Sequence, residues 1–125
     1  MKLISLFLIV SFVAACDSSF AETTTFNCEY LLYSDPNGRH EENPPLSFSL
    51  LLDSNTKKAY LLGNNGASEI VYRANGDRLT FLEETATGNL LVTVVARDGQ
   101  SVHSRHPFVG DKFLATQYYG RCAKK

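Results

Sequence analysis

His103, Arg105 and His106 form the densest group of side chains in the sequence that could do chemistry. Two imidazoles this close raise the question of a metal site, and the guanidinium between them raises that of an anion site. Successive side chains on a strand point to opposite faces, so residues i and i+3 diverge. His103 and His106 therefore cannot share one ion unless the backbone bulges near Pro107. His40, the third histidine, lies in a distant polar arm. The expectation is no metal and no cofactor, with the histidines acting as surface or hydrogen-bonded groups. Arg105 and Arg121 together would make an anion patch, since guanidinium forks suit carboxylate and phosphate. Pairing of Arg105 with Glu83 or Glu84 on a neighbouring strand is the simpler arrangement.

Tyr118 and Tyr119 precede Gly120 and Arg121 in a chain that is rich in tyrosine and lacks tryptophan. A tyrosine has an apolar body and a polar tip, which suits a ligand cavity or a partner surface. His103, Arg105, His106, Tyr118, Tyr119 and Arg121 are thus the binding candidates. Catalytic signatures are missing from the sequence: it has no Gly-x-Ser-x-Gly elbow, no phosphate-cradling glycine loop and no metal-spaced cluster. Glu83 and Glu84 are adjacent on a strand and face opposite ways, which is wrong for a paired acid and base. The reading is that the protein is not an enzyme.

The elements that hold these residues follow an export signal. Met1-Lys2 is a minimal basic start, and the apolar run to Ala15 is too short for a stable membrane span. Two cleavage sites compete. Val13-Ala14-Ala15-Cys16 reads as a lipobox whose cysteine is acylated, giving a 1–15 lipoprotein signal, while Ser19-Phe20-Ala21 suits ordinary cleavage and a 1–21 signal peptide. With Cys16 lipidated or discarded, Cys28 and Cys122 remain as a pair in an oxidising compartment, where a disulfide is the default. The 12 basic and 13 acidic residues are interspersed, with no basic stripe of the kind nucleic acid requires. Membrane association rests only on an anchor at Cys16.

From residue 22 onward strands and turns alternate at intervals of about ten residues. Thr25 to Tyr33 places Phe26, Cys28, Tyr30 and Leu32 on one face. Asp35-Pro36-Asn37-Gly38 is a turn signal, and Arg39 to Pro45, with its Pro-Pro pair, reads as the longest loop. Leu46 to Asp53 turns Leu46, Phe48, Leu50 and Leu52 inward. Four shorter strands follow, Lys58 to Leu62, Ser68 to Arg73, Arg78 to Glu84 and Asn89 to Ala96. In the last of these Leu90, Val92 and Val94 face in. Ser101 to His106 ends at Pro107, and the closing strand runs from Lys112 to Cys122. The expected fold is all-β, an antiparallel meander of about eight strands forming a small closed or nearly closed barrel. A β-sandwich is the alternative.

The strings TFNCEY (25–30), AYLLGNNGASEI (59–70), SVHSRHP (101–107) and QYYGRC (117–122) resemble a group of small exported proteobacterial proteins without an assigned function. The resemblance implies an envelope or secreted location and the Cys28 to Cys122 pairing. The combined expectation is a single disulfide-closed β domain, residues 22–125, periplasmic or secreted or membrane-anchored through Cys16. It would act as a non-catalytic binding module for a protein partner, the alternatives being a structural envelope lipoprotein or a small-ligand carrier. An eight-stranded barrel of this size fills its interior with its own side chains, which favours the protein partner.

Overall fold

A computed structural model describes residues 22–125. The expected export signal, whether 1–15 or 1–21, and Cys16 lie outside the described residues. Eight strands close a barrel by antiparallel pairing of neighbours: β1 (Thr23–Asp35), β2 (Gly38–Asp53), β3 (Lys58–Gly63), β4 (Gly66–Asn75), β5 (Arg78–Glu84), β6 (Leu90–Ala96), β7 (Gln100–Arg105) and β10 (Thr116–Lys124), which returns to pair with β1. Between β7 and β10, β8 (Phe108–Val109) and β9 (Lys112–Phe113) form a separate two-stranded hairpin. The expected closing strand from Lys112 is therefore two pieces. Lys112 and Phe113 turn back on Phe108 and Val109, and the barrel strand begins only at Thr116.

Short turns follow from glycines that supply positive φ, such as Gly76 and Gly99, at the β4–β5 and β6–β7 hairpins. The meander puts the start of β1, the end of β10 and the β2–β3, β4–β5 and β6–β7 turns at one end of the barrel, termed the base. The β1–β2, β3–β4 and β5–β6 connections and the β8–β9 hairpin stand at the other end, the rim. The interior is filled by Tyr30, Leu50, Phe81 and Ala59, all nearly inaccessible, with Phe48, Ile70 and Val95 around them.

Cys28 and Cys122 are directly opposed across the β1–β10 seam and are joined by a disulfide. Their Cα atoms are 4.0 Å apart, a spacing that belongs to the closer class of antiparallel pair. Two residues away, Gly120 opposes Tyr30. A Cβ at Gly120 would fall 2.7 Å from the Tyr30 Cα and 2.8 Å from its ring, and would meet the Glu29 carbonyl as well. The missing side chain is what lets the Tyr30 ring cross the seam. The Tyr30 hydroxyl donates to Ser101 Oγ at 2.8 Å, and Ser101 Oγ donates to the Val94 carbonyl at 2.9 Å.

Three further expectations are corrected. Arg39 to Pro45 is not a loop but the first half of the 16-residue β2. Its pairing with β1 resumes on either side of a bulge, where Tyr30 opposes Leu46 and Leu32 opposes Glu41. The Pro-Pro pair sits in that irregularity, where no ladder hydrogen bond is required. The same bulge turns Leu32 outward, opposite Tyr119, and brings Tyr33 in beside Tyr118. In β6 the inward face is that of Thr93 and Val95, which are buried, while Leu90 is 43% exposed. Apolar residues on both faces made the parity unreadable from pattern alone, and a buried polar contact of Thr93 decides it.

Candidate functional site

The inward residues nearest the rim form a polar and aromatic column. Its floor is His103 on β7, 1% exposed, packed against Tyr30, Phe48 and Tyr118. The Arg105 Nε donates to His103 Nε2 at 3.0 Å. Because a guanidinium only donates, Nε2 must be the unprotonated nitrogen, and Nδ1–H donates to Thr93 Oγ1 at 2.7 Å. Burial, reinforced by the Arg105 charge, pushes the His103 pKa down to about 3. This imidazole is neutral and has both nitrogens engaged. It has no free lone pair for a metal and takes up no second proton near neutral pH.

Above it the Arg105 guanidinium lies 5.0 Å from the centre of the Tyr118 ring. Burial pushes the Tyr118 hydroxyl up, the Arg105 charge opposes this, and Glu42 and Tyr33 reinforce it. Tyr33 continues the column 5.4 Å from Tyr118 and stacks on His40 at 4.9 Å. His40 Nε2 donates to Asp35 at 2.9 Å, and that bond holds the Asp35 carboxyl below its ordinary range.

Of the sequence-derived candidates, the structure unites His103, Arg105 and Tyr118. His106 is exposed and donates from Nδ1 to the Leu90 carbonyl at 3.1 Å. Tyr119 and Arg121 lie on the outer face of β10, where the Arg121 guanidinium donates to the Asp98 carbonyl at 2.6 Å. Arg105 is inside the barrel and Arg121 outside it, so they form no joint anion patch. Nor does Arg105 pair with Glu83 or Glu84, since its polar contact is His103. Among the described residues no group of three or more His, Cys, Asp or Glu side chains could hold a metal ion.

Sequence reasoning missed the most exposed feature of the rim. In the β8–β9 hairpin Phe108, Val109 and Phe113 are 53, 59 and 68% exposed, and Leu114 follows at 41%. The two phenyl rings pack on each other at 4.8 Å, so the hairpin presents a preformed aromatic knob. The signal was present in Pro107 and Gly110-Asp111, which bracket one apolar pair and precede another. A second feature is an open groove of about 1230 Å³ on the outside of β1, β2 and β10. No protein-family model, characterised protein or solved structure matches this chain.

Proposed function

We propose that this protein is an exported, non-catalytic binding module of the bacterial envelope that docks on a protein partner through its rim hairpin. The carrying observation is the exposure of Phe108, Val109, Phe113 and Leu114 on one projecting element. Fixed aromatic side chains of this kind act as anchors in protein interfaces, because they bury a large apolar area with few rotors to immobilise. A small-ligand carrier would need an open interior, and here Tyr30, Leu50, Phe81 and His103 occupy it. The disulfide is compatible with an oxidising, exported location.

The test is site-specific photo-crosslinking in the native envelope from a benzophenone side chain placed at Val109. The expected result is one or a few discrete protein adducts that disappear on Phe113→Asp. Absence of any adduct from Val109, with the barrel intact by its melting curve, would overturn the reading.

A further inference from the structure

We propose that a second copy of this chain is a partner of the rim hairpin, which seats in the outer groove of its neighbour. The proposal rests on the hairpin's being a docking element, and it names the surface that receives it. The groove's apolar floor is Leu31, Leu32, Leu62 and Tyr119, with Leu31 55%, Leu62 36% and Tyr119 38% exposed. Leu31 and Leu32 are both directed to this face by the β1 bulge, which gives the outer surface two adjacent leucines. At about 1230 Å³ the groove exceeds the ~300–1,000 Å³ of small-molecule pockets. It suits a structural element better than a small molecule.

Charge points the same way. The groove's flanks carry Arg97, Arg121 and Lys124 against Glu29 and Asp98. The hairpin stands on a rim where Glu41, Glu42, Glu83, Glu84 and Asp111 outnumber Arg39, Arg105 and Lys112, and Arg105 is directed inward. An acidic rim bearing an apolar knob thus meets a more basic flank around an apolar floor. Because knob and groove are different surfaces, the contact is heterologous and repeats head to tail. A hairpin in a groove buries less than a standard interface, so the association is weak and sensitive to salt.

The experiment is sedimentation of the oxidised protein between about 1 μM and about 1 mM, at low and high salt. Self-association that rises with concentration and weakens with salt is expected. Phe113→Asp on the hairpin and Leu31→Asp in the groove each change an exposed side chain, and each should weaken it by about tenfold or more. Mixing the two variants is the decisive step. One retains a groove and the other a hairpin, so the mixture should give a 1:1 dimer and nothing larger. A monomer throughout the range, or association that either variant leaves unchanged, would overturn self-docking. So would a mixture that fails to dimerise while both variants keep the parent melting curve. A chain that stays monomeric but still cross-links from Val109 to another envelope protein loses this inference and keeps the docking-module reading. A chain that stays monomeric and gives no adduct loses both.

Discussion

At the scale of single residues, His103 and Gly120 carry most of what is unusual about this interior. A buried imidazole with a pKa near 3 takes no proton in the folded state at mild acidity, whereas an unfolded one titrates near 6.5. Between those values the unfolded chain binds more protons, so stability falls as pH drops from about 6.5 towards 3 and is unaffected by this group above that window. The slope is about 1 kcal/mol per pH unit for one such proton. Urea midpoints at pH 6.5 and pH 5 should show a loss that His103→Asn largely removes. An equal loss in the variant would mean that other groups set the acid sensitivity. Gly120→Ala presses a methyl group onto the backbone and ring of Tyr30 at distances that need the seam to shift. It should cost about 3 kcal/mol or more, read as a lowered urea midpoint with an unchanged slope. Legibility at this scale was partial. The group His103, Arg105 and Tyr118 can be picked from the sequence, but Thr93 cannot, because a threonine between valines looks like an ordinary strand residue until its partner is known.

At the scale of elements, the strands with one apolar face were readable and the two-sided or broken ones were not. The inward set Phe48, Leu50 and Leu52 of β2 follows from plain alternation. In β6 both faces are apolar, and in β1 a single bulge reverses parity after Tyr30, so periodicity gives the wrong face for Val92, Val94 and Leu32. The hairpin was hidden for another reason. Its residues are strand formers, and a strand pattern cannot tell which neighbour a segment pairs with. Since β8 and β9 pair only with each other, they add little to the barrel's stability. Phe113→Asp should therefore change the free energy of unfolding by less than about 0.5 kcal/mol, measured by urea titration. A larger loss would show that the hairpin is part of the core and not a docking element.

At the scale of the whole molecule, the barrel and its seam were the most legible features. Strand count, short turns and a pair of cysteines at the two ends of the domain all point to closure. The disulfide spans a sequence separation of 94 residues. The chain-entropy account assigns such a loop roughly 4–5 kcal/mol, against a usual total of ~5–15 kcal/mol. Replacing both cysteines with serine should lower the melting temperature by roughly 20 °C or more. An unchanged melting temperature would mean that the β1–β10 ladder alone secures the seam. That ladder runs to the two ends of the described domain: Phe26 opposes Lys124, and the Lys125 amide donates to the Thr25 carbonyl at 2.8 Å. The order in which the eight strands are threaded is thus arbitrary as far as the barrel is concerned. A few flexible residues could join the two ends, and the chain could begin anew at Gly110-Asp111 with the same pairings and the same bridge. Such a circular permutant would divide the aromatic knob between two new termini, separating the barrel from its projecting element without deleting a residue of either.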